Sequence, residues 1–378
     1  MSDVTLPPVV VLSTADFDAP VWTNKQHLAV GLARHTPVTY VESFGLRAPR
    51  LTTADLRRLG RRLRASPASR RDARPSTGDV RVVSPRVLPL HDSRAARRAN
   101  AVLAGRLPLP ELADSVLWTF SPVTYGLESR ARAVVYHAVD LLHAQPRVAA
   151  RAILEGERRL VDRADAVIAS STGVRDHLRA LGRDDVLLWQ NVADTELFAS
   201  ARPQRRPRAV FAGNLTTTKI DTGLLHALVD AGVELVVAGP VGIDGADADG
   251  SFDGLLGRDG VEYVGNLAPR ALADLLATCT VGLVPYRLND YTAGVFPMKV
   301  YEYLAAGLSV VSTPLPSLRH LDEPGLVLAQ DAELVGAVRR AVGDVDEVAA
   351  ADRRRRASDH SWTRRTGEAQ DLLRDLVP

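Results

Sequence analysis

The feature that most limits how this chain can fold is a rhythm of short, continuous apolar runs, each followed by a helical segment. The rhythm runs twice. Val9–Leu12, Val38–Val41, Val80–Val83, Ser115–Thr119, Ala133–Tyr136 and Ala166–Ala169 make the first series. Ala209–Gly213, Val233–Ala238, Val261–Gly265, Val281–Pro285 and Leu308–Val311 make the second. Runs of β-branched residues without polar alternation suit strands buried on both faces, as parallel sheets require. Helices are expected between them, for instance over Lys25–Arg34, over Val174–Leu181 behind an N-cap in Ser170-Ser171-Thr172, and over Asp221–Ala231. The polar, Pro-rich Arg202-Pro203-Gln204-Arg205-Arg206-Pro207-Arg208 between the series reads as a surface linker. The expected fold class is α/β, with two doubly wound Rossmann-like domains.

The totals exclude several functions. The 378 residues carry 47 basic and 45 acidic side chains, a net charge of +2, which is no footprint for nucleic acid. Cys279 stands alone, so neither a disulfide framework nor a cysteine metal site is expected. No Gly-x-Gly-x-x-Gly follows Val9–Leu12, which argues against a nicotinamide or flavin dinucleotide fold. The N-terminus lacks a signal-like apolar core and no run is long enough to span a membrane, so a cytoplasmic protein is expected. The preference for Arg over Lys and the abundance of Ala suit a GC-rich bacterial gene. Two stretches stay ambiguous. The Arg-rich segment 57–74, with Leu56, Leu59 and Leu63 on one stripe, suits either a peripheral contact with an anionic membrane or a solvated helix and loose loop, the commoner case. The acidic stretch 244–254 nearly fits a calcium loop from Asp249, but Gly260 stands where the bidentate Glu belongs, and no metal is expected there.

One stretch invites chemistry. Gly294-Val295-Phe296-Pro297-Met298 reads as a loop, Lys299–Ala306 as a short helix capped by Gly307, and Leu308–Val311 as a strand. A loop feeding a helix start presents unpaired N–H groups and partial positive charge, with Lys299 and Glu302 one turn apart on the same face. Taken alone, the stretch is equally an ordinary loop–helix–strand unit with a solvated Lys/Glu pair.

Four stretches stand in order from about residue 134 onward: Ala164–Ser171, Gln190–Asp194 with Leu197-Phe198, Phe211–Lys219, and Gly294–Tyr303. Together they resemble retaining glycosyltransferases of family 4, in the variant that reads Pro-Met-Lys-x-x-Glu-Tyr, here Pro297 to Tyr303. The resemblance implies the GT-B architecture, two such domains facing across a cleft. Residues 1–193 would form the acceptor side, with helix 362–378 packing back on it, and residues 194–361 the domain that binds a nucleotide-sugar donor. It implies that Glu302 hydrogen-bonds the ribose, that Lys219 neutralises the diphosphate leaving group, and that the backbone of Gly294, Val295 and Phe296 binds the phosphates. Gly265 and Asn266 look like the loop that meets the base. Asn214 stands where the family usually has Arg, so Lys299 is expected to supply the missing charge. Gly294 replaces a Glu that touches donor-sugar hydroxyls, which suggests a deoxy or otherwise modified sugar.

In the N-terminal half, Asp140 and His137 are expected at the cleft-facing end of a strand, near the transferring carbon. Trp22, Asn24 and Lys25 are expected to meet the acceptor by the switch-point rule, or else to form an ordinary helix cap. The activity implied is metal-independent, retaining transfer from a nucleoside-diphosphate sugar to a small-molecule, natural-product or glycan-precursor acceptor, in secondary-metabolite or polysaccharide biosynthesis. Same-face attack needs no protein nucleophile, and none is obvious. The rivals are a sugar-nucleotide epimerase on the same fold and a catalytically silent GT-B partner.

Overall fold

The computed structural model describes residues 5–19, 21–46, 80–145, 148–202, 204–241 and 252–377. The Arg-rich segment 57–74 lies outside the described residues, as does the acidic stretch from 244 to 251. The chain divides into two compact units, residues 1–189 with 365–378, and residues 190–364.

The first unit is built on an all-parallel sheet of β1 (Val9–Leu12), β2 (Val38–Val41), β3 (Val80–Val83), β4 (Val116–Thr119), β5 (Ala133–Ala138), β6 (Ala166–Ala169) and β7 (Leu187–Leu188). Their order is β3-β2-β1-β4-β5-β6-β7. All four residues of β1, β2, β4 and β6 are buried, as strands covered on both faces must be. On one face, Val9, Val11, Trp118 and Ile168 form a core with Leu28 and Leu32 of helix α1 (Asn24–Ala33). Ala369, Leu373 and Val377, at the end of the chain, complete that cluster. The helix Trp362–Leu376 packs closely at Gly31, where a Cβ would lie 2.3 Å from the Thr366 hydroxyl oxygen.

The second unit has β8 (Arg208–Ala212), β9 (Glu234–Ala238), β10 (Val261–Gly265), β11 (Val281–Val284), β12 (Ser309–Ser312) and β13 (Leu326–Leu328), again all parallel, in the order β10-β9-β8-β11-β12-β13. Both sheets therefore reverse direction once, between β1 and β4 in the first unit and between β8 and β11 in the second. Open α/β sheets bind ligands at such a point, beyond the carboxyl ends of the strands. The structure adds β7 and β13 to the strands expected from sequence. Both are sheet edges, with Leu187 40% and Val327 42% exposed, although Val186–Trp189 and Leu326–Ala329 are continuous apolar runs like those of the central strands.

Candidate active site

In the second unit, the loops after β8 and β11 are zipped together at the switch point. Asp221 N–H donates to Pro285 O and Arg287 N–H to Lys219 O, each at 2.8 Å, around an antiparallel bridge between Ile220 and Tyr286. This fixes Lys219 beside Tyr286, a residue that sequence reasoning did not single out. Its one signal is position, two residues past the end of the strand next to the switch.

Lys299 reaches the same tyrosine from the other side. It opens a helix (Lys299–Ala305) that Tyr303 locks to the sheet, its hydroxyl accepting from the Ala212 N–H at 2.8 Å. The Tyr303 ring fits only because residue 282 is Gly; a Cβ there would lie 2.2 Å from it. At the other end, Gly307 takes φ +81°, its N–H donates to Leu304 O and the Leu308 N–H to Tyr303 O, both at 2.9 Å. That is a Schellman cap, which only glycine adopts without strain, so the expectation of a Gly cap holds. The Lys299 and Lys219 ammonium nitrogens each lie 5.7 Å from the Tyr286 ring centroid, and Lys219 also lies 5.6 Å from that of Tyr291. The space around Lys299 is kept open by glycines. A Cβ on Gly213 would stand 3.0 Å from its Nζ, and one on Gly239 would collide with Gly213 O at 1.9 Å.

The electrostatics follow from this crowding. Burial raises the Tyr286 phenol, but the two ammonium groups outweigh it and hold the pKa below the ordinary 10.0. Burial lowers Lys299, yet Tyr286 and Glu302 more than offset that, so the ammonium form is favoured beyond the ordinary 10.5. Burial raises Glu302 above 4.5, Lys299 opposes this, and Asp194 adds to it. Among the described residues, neither Lys219 nor Lys299 has a carboxylate within ion-pair distance. Two cations held against one phenol, with no salt bridge among the described residues, have the charge to attract a multiply charged anion.

The loop that feeds the Lys299 helix differs in detail from the sequence reading. Gly294 and Val295 do not present their N–H groups to a ligand. These donate to Tyr291 O at 3.2 Å and Thr292 O at 3.1 Å, because residues 290–293 form a helical turn of their own. Nor is the loop's outer shape set by Gly and Pro alone. Asn191 donates to Phe296 O at 2.7 Å and the Ser317 hydroxyl to Val295 O at 2.6 Å, two anchors without a local sequence signal. Asn214 follows Gly213 at the end of β8. Gly265 closes β10, takes φ +68° and accepts from the Gly239 N–H at 2.7 Å, and Asn266 beyond it is exposed. Both lie two strands away from β8, at the same end of the sheet.

In the first unit the structure brings Lys25, His137 and Asp140 into one electrostatic group. Asn24 and Lys25 begin α1, and both are buried. Burial pulls the Lys25 pKa below 10.5, and Asp140 opposes this. Its ammonium lies 5.9 Å from the Phe120 ring centroid. His137 is buried near the carboxyl end of its strand. It lies inside β5, which runs two residues beyond Tyr136, and its ring is enclosed by Trp118, Phe120 and Trp189 with centroids 4.8–6.2 Å away. Trp118 Nε1 is 3.4 Å from Nδ1, while Nε2 is buried with no hydrogen-bond partner among the described residues. Burial holds its pKa well below 6.5, and Arg365 and Lys25 add to that, so the ring is neutral. Trp22 packs on Phe17 and edge-on to His27, beside the same helix start.

The chain has only three lysines, Lys25, Lys219 and Lys299, among 47 basic residues, and all three stand at these two switch points. The other 44 basic residues are arginines, two of which, Arg287 and Arg365, also stand beside these sites.

Residues 206–344 match the family model described as Glycosyl transferases group 1. The segment spans the whole of the lysine–tyrosine site. A putative teichuronic acid biosynthesis glycosyltransferase, TuaH, of Bacillus subtilis (strain 168) is 29% identical over 221 residues, 56% of this chain and 55% of that protein. The chain thus matches about half the length of this curated relative. Among solved structures, Anabaena Alr3699/HepE in complex with UDP and glucose covers 98% of this chain and 100% of its own, at TM-score 0.67 and 13% identity. Sucrose-phosphate synthase from Thermosynechococcus elongatus covers 98% of both chains at TM-score 0.69 and 16% identity. At these identities the likeness is one of fold, and the fold is GT-B. Among the described residues, no helix is long and apolar enough to cross a membrane.

Proposed function

We propose that the chain is a retaining glycosyltransferase that moves a sugar from a nucleoside-diphosphate sugar to a small-molecule or glycan-precursor acceptor. The observation that carries this is the pair of ammonium groups on either side of Tyr286, in a segment that matches a glycosyltransferase family. A departing diphosphate accumulates negative charge, and positive groups fixed where that charge grows stabilise the transition state more than the ground state. Lys219 and Lys299 take this role, the second replacing the charge that Asn214 lacks. Glu302, one turn along from Lys299, accepts the ribose hydroxyls. With the N–H groups of Gly294 and Val295 already engaged, the two lysines bear the phosphate contacts.

The acceptor is assigned to the first unit, where Trp22, Asn24, Lys25, His137 and Asp140 gather. Asp140, the one carboxylate of that group, receives the acceptor hydroxyl. HepE holds UDP and glucose, which supports a uridine nucleotide as the first donor to screen, and the relative named for teichuronic acid biosynthesis supports a glycan acceptor. Gly294 offers the sugar no carboxylate, which favours a deoxy or modified donor. It also keeps a silent GT-B binding partner in view.

The test is thermal stabilisation by a panel of nucleoside diphosphates, followed by acceptor-dependent nucleotide release. One of the panel is expected to raise the melting temperature, and Glu302→Ala is expected to weaken its binding about 100-fold, the worth of two hydrogen bonds to a carboxylate. A parent-like affinity in Glu302→Ala removes that residue from the site. Binding without release of nucleotide to any acceptor supports the silent partner.

A further inference from the structure

Outside both switch points, the first unit gathers two imidazoles around one buried carboxylate. Glu157 lies on the helix Ala150–Arg163 with its side chain 1% exposed. His177 comes from the helix Thr172–Ala180, and its Nε2 is 3.0 Å from Glu157 Oε2. His143 comes from the 3-10 turn Leu142–Ala144, and its Nδ1 is 3.7 Å from the same oxygen. The three ligand atoms all lie within 4.8 Å of one another, and the imidazole centroids are 4.6 Å apart.

Two further facts bear on what could sit between these groups. The His143 Nδ1 is buried with no hydrogen-bond partner among the described residues, although a carboxylate faces it. The Tyr136 hydroxyl donates to Glu157 Oε1 at 3.1 Å, which ties up one carboxylate oxygen and presents the other to both rings. A positive ion between the three atoms accounts for both. It takes the lone pair of Nδ1, and the tyrosine then acts as the outer partner that orients a ligating carboxylate.

We propose that His143, Glu157 and His177 form a site for a divalent transition-metal ion of the zinc class, with water in the fourth position. Two imidazole nitrogens and one carboxylate oxygen are a common ligand set for that ion. Tetrahedral coordination at about 2.0–2.2 Å sets ligand atoms roughly 3.3 Å apart. The two distances to Glu157 Oε2 already bracket that value, and the two ring nitrogens, within 4.8 Å of each other, need to close by at most about 1.5 Å. The site also has an evident structural use. The 3-10 turn begins where the Leu142 N–H donates to Asp140 O at 2.9 Å. An ion on His143 therefore pins the segment that follows Asp140 to two helices of the unit.

The experiment is metal titration of the full chain, stripped with a chelator. Zn2+ uptake is followed by calorimetry, and Co2+ uptake by the visible absorption bands of tetrahedral cobalt. One ion per chain is expected. Zinc at about 100 times its dissociation constant should raise the melting temperature by about 5–10 °C. His143→Ala and His177→Ala change partly exposed side chains and should fold; each should lose at least the roughly 10–100-fold in affinity that even an outer-shell loss costs. Absence of stoichiometric uptake overturns the proposal. So does parent-like uptake in both variants, which would assign the ion to other side chains among the nine histidines. No donor, acceptor or turnover enters the measurement, so its outcome is separate from that of the transferase reading.

Discussion

At the switch point of the second unit, Lys219 and Lys299 lean on a tyrosine, half-buried and with no salt bridge among the described residues, and Lys299 holds its proton more tightly than a free lysine. At the switch point of the first unit, Lys25 is enclosed beside Phe120 and holds its proton less tightly. The two sheets have the same strand order over their first six strands, so topology does not make this difference. What surrounds the ammonium does. In one unit glycines and a phenol stabilise the cation and leave room in front of it; in the other, aromatic walls and a buried helix start disfavour it, and only Asp140 compensates. The first arrangement suits a polyanion. The second suits a mostly apolar or hydroxylated ligand met by a few polar groups.

The largest effect is expected where charge meets space. Lys219→Ala should lower kcat about 100–1000-fold, the usual cost of one charge-stabilising group. Lys299→Arg should fare nearly as badly as Lys299→Ala, although it keeps the charge. A guanidinium is a wider, planar fork, and Gly213 faces the ammonium so closely that even a Cβ there would stand 3.0 Å from Lys299 Nζ. If Lys299→Arg retains parent-like kcat and nucleotide affinity, the glycine-lined shape is irrelevant and charge alone matters.

A smaller effect separates the two lysines by sign. The folded pKa of Lys25 is lowered, so between that value and 10.5 the unfolded chain binds more protons and stability rises with pH. Below that window the burial cost is present in full. Lys25→Met should therefore raise the melting temperature at pH 7 by a few degrees, roughly 2–4 °C, with the gain fading as pH approaches 10.5. Lys299 has its pKa raised, so its contribution is complete below 10.5 and is lost as pH climbs through the folded value. Lys299→Met should lower the melting temperature at pH 7. Scans of the two variants at pH 7 and pH 10 decide it. Equal signs would mean that the two environments are the same in kind.

How much of this was legible depended on what the chain writes locally. Central strands are continuous apolar runs, and every run named from sequence is a strand here. The Gly307 cap and the Ser171 N-cap, which accepts from the Val174 N–H at 3.1 Å, are local chemistry and were equally plain. Tyr286 was not, because its role comes from the zipping of two loops about 70 residues apart. Asn191 and Ser317 reach the Phe296 and Val295 carbonyls from distant segments, and no spacing announces them. The N–H groups of Gly294 and Val295 were misread because one helical turn at 290–293, too short to show a period, takes them up. The GT-B fold bears out the architecture drawn from motif resemblance, whereas the roles given to individual site residues rest on the proposals above.

The smallest expected effect concerns His137, and it tests whether the first unit's aromatic wall is a binding surface or only core. The folded ring stays neutral because its pKa is well below 6.5, while the unfolded histidine protonates through that value. Stability should therefore fall as pH drops from about 6.5 toward the folded pKa and stay level above it. His137→Phe should flatten much of that acid limb; His91, also held low by burial, keeps its own share. At pH 7 the variant should stay within about 1 kcal/mol of the parent, since loss of an unpartnered Nε2 is offset by loss of the acceptor for Trp118 Nε1. Kinetics then divide the two meanings. If the ring borders the acceptor, KM for the acceptor rises severalfold while nucleotide affinity is unmoved, because the change lies in the first unit alone. If acceptor KM stays put while the acid limb flattens, His137 belongs to the core, and acceptor recognition falls to Trp22, Asn24, Lys25 and Asp140.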